Sequence, residues 1–431
     1  MKKLFIISYS FPPSNAPAAQ RPYSIAYYLG LEGFDVSVLS CKNQDSSLGI
    51  GVNDCNNPKS FKHYQVGGFS IKRFRSGNTK PLNNKENKKE KIGKKKTTNR
   101  LRKFIFPDKA ISWFPFALGW ILLHPRKFIK TTLITTSPLV TNHLLGLIVK
   151  FLFRTNWIAD FRDFHYIHSI EHGEAVSFSK LHFKLEKQII KRADKVVFIS
   201  ESMKMLYAEA YSKFSSKFHA IYNGYYPEEI LDEKLIDKSK FSSLPIKIFY
   251  AGSFYRGVRS PFPLIEALQK LVDDGVIQLT DVIIEIAGNI DGKLLIQLEK
   301  YQLYQQISFI GQIPREKVLE KLADSHLLWL IVGEAINHSA GIPLKSFEYI
   351  ASTRPVLCFA PEGTETTNVV EELNAGWRLS NDLEDKAYNV EVLKRIFVDK
   401  LYTKSNSSSL IKENKKYSRY YQALAFGQLV K

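Results

Sequence analysis

One pattern constrains this chain more than any other. Short apolar runs alternate with amphipathic stretches through the first half, and the series then starts again in the second. Residues 4–9 read as a buried strand, the Pro/Ser/Asn/Ala stretch 11–16 as a turn, and residues 18–31 as a helix with Ile25, Tyr28 and Leu29 at helical spacing. Gly33 lies just past that helix, where a left-handed stop is common, and "FDVSVLS" is the next strand. Further strands are expected at 70–74, 132–135, 157–161 and 195–199, with helices at 139–153 and 183–192. A polar linker at 232–243 precedes the second series. That series comprises "IKIFYAGSF", a helix at 263–272, "DVIIEIAG", a helix near 294–301, "ISFIGQI", a helix at 315–323, "HLLWLIV", and a helix and strand within "GIPLKSFEYIASTRPVLCFA". Alternation of this kind predicts parallel sheets covered by helices. The chain reads as two doubly wound, Rossmann-like α/β domains facing across a cleft. Ligands of such sheets sit at the carboxyl ends of the strands. The expected boundaries are 1–238, 239–412 and a C-terminal helix, 413–431, that returns to the first domain.

A length of 431 residues is ample for two cores, and 44% hydrophobic with 24% charged residues is ordinary for a soluble globular protein. The formal net charge of +19 is not ordinary and favours anionic partners. Much of it is local: from Lys80 to Lys103 there are eleven lysines and arginines against two glutamates, with no apolar periodicity. Three readings of this segment stay open: a solvated loop, attraction to an anionic membrane, or nucleic-acid binding. No nucleic-acid motif accompanies it, and no nucleic-acid partner is expected. The aromatic stretch "FIFPDKAISWFPFALGW" follows directly and could enter a membrane interface. No apolar run reaches the ~18 residues of a membrane span, and the opening "MKKLFIISYSFPP" breaks too early for a signal peptide. Cys41, Cys55 and Cys358 form no C-x-x-C pair, so a reducing cytoplasm is expected.

Within "GIPLKSFEYIAS", Leu344, Phe347 and Ile350/Ala351 form an apolar stripe, with Lys345 and Glu348 on its flank. A lysine in the first turn opposes the helix dipole by up to ~1 kcal/mol, so an anion nearby would offset it. Lys345 suits a diphosphate at the helix N-terminus, and Glu348 suits the vicinal hydroxyls of a ribose. An ordinary surface ion pair is the competing reading. In "YAGSFYRGVRSPF", Gly252 allows a ligand to approach the backbone, and Arg256 and Arg259 suit phosphate oxygens, or form a solvated basic loop. In "WIADFRDFHYIHSIEHG", Asp160, Arg162 and Asp163 end a strand at the cleft. Asp163 and Arg162 are the candidate catalytic residues, with Asp163 orienting an acceptor hydroxyl; alternatively Arg162 pairs with Asp160 or Asp163 within the core. His165, His168 and His172 share a helical spacing but lack the flanking pattern of a zinc site, and no metal is expected.

The ordered series of these segments resembles GT-B fold glycosyltransferases of the large retaining family 4 group. The resemblance runs through "SYSFPPSNAPAAQRPYSIAYYLGLEGFDVSVLS", "LITTSPLVTNHLLGLIVKFLFRTNWIADFRDFHY", "RADKVVFISESM", "IYNGYYPEEI", "YAGSFYRGVRSPFPLIEAL", "ISFIGQIPREKVLEKLADSHLLWLI" and "IPLKSFEYIASTRPVL". It implies a UDP- or GDP-linked sugar, bound as co-substrate by the second domain, and a glycan or lipid-linked glycan acceptor held by the first. It implies that Arg259 or Arg256, with Lys345, binds the diphosphate and that Glu348 holds the ribose. The backbone at Gln312 and Ile313 would face the base, and the loop of Ser14, Asn15 and Ala16 would approach the phosphates. Asp163 and Arg162 stand where many relatives carry a His-Asp pair. Three departures mark this chain: Ala340 where many members have a second glutamate, Ser-Asn-Ala-Pro-Ala-Ala in place of a glycine-rich first loop, and Asp163-Phe164-His165 after the arginine. The expected activity is sugar transfer in cell-surface polysaccharide synthesis, with retention, by a cytoplasmic protein peripheral on the inner face of the membrane. A GT-B-shaped nucleotide-sugar epimerase and a non-catalytic binding relative remain as alternatives.

Overall fold

The computed structural model describes residues 1–14, 16–42, 60–68, 106–164, 179–232, 238–254, 259–335 and 339–430. Asn15, Arg256, the strand expected at 70–74, the segment from Lys80 to Lys103 and the three histidines at 165, 168 and 172 lie outside the described residues.

The first half builds a seven-stranded, all-parallel sheet in the order β3-β2-β1-β4-β5-β6-β7. Its strands are β1 (Lys3–Ile7), β2 (Asp35–Cys41), β3 (Phe61–Val66), β4 (Thr132–Thr136), β5 (Asn156–Phe161), β6 (Lys195–Phe198) and β7 (Phe218–Ala220). Helices α1 (Pro17–Leu31), α2 (Phe114–Leu123), α3 (Val140–Phe153), α4 (Ser179–Arg192) and α5 (Glu201–Ala210) accompany them. The strands read as near-continuous apolar runs because both faces of a parallel sheet are covered. Edge strand β3 was not expected at 61–66: it is half-exposed, so its pattern is mixed rather than apolar.

The second half builds a six-stranded parallel sheet, β10-β9-β8-β11-β12-β13. Its strands are β8 (Ile246–Ala251), β9 (Val282–Ala287), β10 (Ile307–Phe309), β11 (Leu327–Ile331), β12 (Val356–Phe359) and β13 (Gly376–Leu379). Between and after them run α6 (Phe262–Asp273), α7 (Gly292–Leu298), α8 (Arg315–Ala323), α9 (Leu344–Ala351), α10 (Glu365–Glu372), α11 (Lys386–Val398) and α12 (Ser408–Glu413). The last helix, α13 (Arg419–Leu429), packs on α1; a Cβ on Gly427 would come within 2.9 Å of Leu29.

The chain therefore crosses between the sheets twice, near 222–232 and again near 413–419. The crossings lie side by side. Tyr225 N–H donates to Tyr417 O at 3.0 Å and Arg419 N–H to Tyr225 O at 3.0 Å, while Tyr225 OH donates to Asn414 O at 2.8 Å. Gly224 is required here, since a Cβ would lie 2.0 Å from Tyr417 O. A second bridge joins the lobes directly. Buried Glu365 accepts from Ser202 N–H at 2.8 Å and from Tyr222 OH at 3.0 Å, and Ser200 OH donates to Ala340 O.

Candidate functional site

In the second lobe the site starts at the carboxyl end of β8. Gly252 has φ +157°, and a Cβ there would lie 3.2 Å from Lys345 Nζ. Gly288, after β9, has φ +155°, and its Cβ would overlap Gly252 O at 1.8 Å. Two glycines thus let two strand ends meet, and the missing Cβ of Gly252 makes room for Lys345 Nζ. Helix α9 is pinned against them by two residues one turn apart. Lys345 Nζ lies 3.4 Å from Ala251 O, and Ala251 N–H donates to Tyr349 OH at 2.7 Å. Lys345 also lies over the Tyr250 ring, 4.3 Å from its centroid. Burial and the neighbouring Arg259 guanidinium pull its pKa down to about 7. Arg259 Nε is itself buried without a hydrogen-bond partner among the described residues. Lys345 and Arg259 are therefore two cations that repel each other, and among the described residues no carboxylate pairs with either.

Lys345 and Glu348 do not pair. Glu348 accepts from Arg315 Nε at 2.9 Å, and Arg315 also grips Glu229 at 2.7 Å. Burial raises the Glu348 pKa, and Arg315 opposes that rise. Arg315 opens α8, directly after the loop that carries Gln312 and Ile313, so the segment of the expected base contact is tied to Glu348 through this side chain.

On the first lobe, Ser14 is buried, with its N–H on Phe11 O at 3.1 Å, and Ala16 precedes α1. The two charged groups after β5 are used differently. Pro22 lacks an N–H, so it cannot close the helical bond to Ala18 O. Arg162 Nη1 donates to that carbonyl at 2.6 Å, and Arg162 N–H donates to Ser137 Oγ at 2.7 Å. Much of its guanidinium fork is thus spent on the start of α1. Asp163 is exposed beside it. Asp160 forms a core ion pair, but with Arg21 rather than Arg162. The pair is bidentate at 2.9 and 3.0 Å, and Thr136 OH donates to the same carboxylate at 2.7 Å.

Sequence reasoning missed Arg315, Tyr349, Arg21 and Arg419. For Arg315 and Arg419 the signal was present: each is a cation at the first position of a helix, the same anomaly that flagged Lys345. Arg419 donates to Gln20 at 2.7 Å, and its Nε and Nη1 are buried with no hydrogen-bond partner among the described residues. Its charge acts on both Arg162 and Glu348, so it lies where the two lobes meet. Among the described residues no group of histidine, cysteine or carboxylate side chains could hold a metal.

No protein-family profile and no curated protein matches the sequence. Solved structures do match the fold over the whole chain. Sucrose-phosphate synthase from Thermosynechococcus elongatus superimposes with a TM-score of 0.61 at 16% identity, covering 100% of this chain and 98% of its own. HepE from Anabaena, in complex with UDP and glucose, gives 0.63 at 11%, covering 100% and 99%. WaaG, a glycosyltransferase involved in lipopolysaccharide biosynthesis, gives 0.59 at 13%, covering 99% of each chain. The fold is GT-B. In this GT-B chain the turn after β6 meets the segment that leads into α9, where Ser200 OH donates to Ala340 O.

Proposed function

We propose that the protein is a glycosyltransferase that moves a sugar from a nucleotide diphosphate donor to a hydroxyl of a glycan or lipid-linked glycan, with retention, in cell-surface polysaccharide synthesis at the cytoplasmic face of the membrane. The observation that carries the reading is the pair of cations, Lys345 and Arg259, set beside the Gly252 turn with no carboxylate partner among the described residues. The leaving diphosphate gains negative charge as the glycosidic bond breaks, and fixed cations in a water-poor site stabilise that charge. Lys345 and Arg259 serve that role without a resident metal. Glu348, oriented by Arg315, takes the ribose hydroxyls, and Gln312 and Ile313 flank the base. Asp163 orients the acceptor hydroxyl, while Arg162 positions the start of α1 and the loop of Ser14 and Ala16. Support also comes from HepE, crystallised with UDP-glucose on the same fold.

A thermal-shift screen of UDP- and GDP-linked sugars tests the reading, because a ligand of the native state raises its melting temperature. One sugar nucleotide should stabilise the protein, and Lys345→Ala should reduce the shift and abolish transfer while the fold is kept. Absence of any shift across the panel, or normal turnover by Lys345→Ala, would defeat the assignment. Epimerised sugar formed without an acceptor would replace transfer with epimerisation.

A further inference from the structure

The first lobe has a second exposed feature, at the edge opposite the cleft. Helix α2, "FPFALGWILL", carries no charged residue. A helix apolar all round is normally buried, yet only Ala117 and Ile121 are. Leu122 and Leu123 at its end are exposed, Leu123 to 79%. Helix α3, packed beside it, ends in exposed Phe151, at 81%, and exposed Leu152. Ile129, just before β4, is exposed between them.

These side chains form one edge. Phe128 stacks on Phe153 at 5.5 Å and packs against Phe5, which also meets Trp120 of α2. Thr132 of β4 pairs with Asn156 of β5, so Ile129, just before β4, and the end of α3 that carries Phe151 lead into neighbouring strand starts. Clustered exposed apolar side chains on a soluble fold mark an interaction site.

Cations surround the edge. Lys3, Arg126, Lys130 and Arg154 are all exposed. Lys130 and Arg154 hold φ +53° and +51°, left-handed positions where glycine or asparagine is easier to place. The nearby acids are already engaged, Asp194 by Lys150 at 2.6 Å and Asp35 by Lys62 at 3.1 Å. A second copy docking through this edge by a two-fold axis would set like charges against each other on a chain of net +19. An anionic bilayer surface satisfies both features, since its interface accepts aliphatic and aromatic side chains while its headgroups attract the cationic rim.

We propose that this edge, built from Leu122, Leu123, Ile129, Phe151 and Leu152 and ringed by Arg126, Lys130 and Arg154, docks the protein on an anionic lipid surface. The proposal is independent of the donor-site reading and of the segment from Lys80 to Lys103. The test is co-sedimentation of the full chain with phosphatidylcholine vesicles containing about 30% phosphatidylglycerol, against phosphatidylcholine alone. Wild type should bind only the anionic vesicles. Leu123→Ser with Phe151→Ser should lower partitioning at least tenfold, as should Arg126→Glu with Lys130→Glu. Because all four residues are exposed, both variants should keep the wild-type melting temperature and any donor-induced shift. Undiminished vesicle binding by the serine variant would overturn the proposal. So would a wild type that ignores anionic vesicles, or a wild-type dimer in solution that the serine variant abolishes. A missing donor shift with vesicle binding intact would count against the glycosyltransferase reading alone.

Discussion

Binding of a sugar nucleotide should draw a proton onto Lys345. Burial and Arg259 hold this lysine at about 7, so in the free protein it is charged in roughly half the molecules at pH 7. The diphosphate of a sugar nucleotide is a diester with two fixed negative charges. Seated against Nζ, it returns the lysine toward its ordinary range. Uptake should then be about half a proton per site at pH 7 and close to one by about pH 8.5. By the same linkage, affinity should weaken by roughly tenfold for each pH unit above about 7, until the pKa of the bound lysine is reached. Titration calorimetry in two buffers of different ionisation heat measures the uptake directly. The donor phosphates do not titrate in this window, so the protons belong to the protein. Lys345→Met should abolish uptake and flatten the pH profile. A dissociation constant that stays level from pH 6.5 to 8.5, or uptake that survives in Lys345→Met, would refute the placement of the diphosphate.

Asp160→Asn leaves Arg21 buried beside a neutral partner, and the loss should be about 3–5 kcal/mol in urea unfolding of the first lobe. Gly288→Ala forces a Cβ onto Gly252 O at a left-handed φ, and a melt should show destabilisation of at least ~2 kcal/mol together with lost donor binding. Arg162→Met should cost about 1–3 kcal/mol alone but less when combined with Pro22→Ala, because the alanine N–H can then reach Ala18 O; a double-mutant cycle measures the difference. Glu365→Ala strips the partner from Ser202 N–H and Tyr222 OH, and small-angle scattering should report a more open average shape.

The two parallel sheets were legible in the sequence because strands buried on both faces are continuous apolar runs. Those runs set the limits of β1, β2, β8 and β9 closely. Half-exposed β3, short β13 and the mixed helix α11 carry weaker patterns and went unread. The candidate site was legible only in part. Lys345 stood out because its charge is wrong for its place on the helix, and Gly252 because a strand ended there. The Asp160–Arg21 pair joins residues 139 positions apart, and the Arg315 bridge joins Glu229 of the crossing segment to Glu348 of α9. No local spacing encodes such partners. Arg162 shows the same limit: its role depends on a proline elsewhere that deprives a carbonyl of its donor.

The neighbouring crossings at Tyr225 and Tyr417 have a mechanical consequence. Two peptide segments laced together by backbone bonds act like a door hinge with two knuckles: they bend about a line but resist sliding along it. A swing of the lobes about that line would therefore return them without loss of alignment. Each return brings the same atoms face to face, so accuracy of placement is written into how the chain is threaded rather than into the contacts that seal the gap.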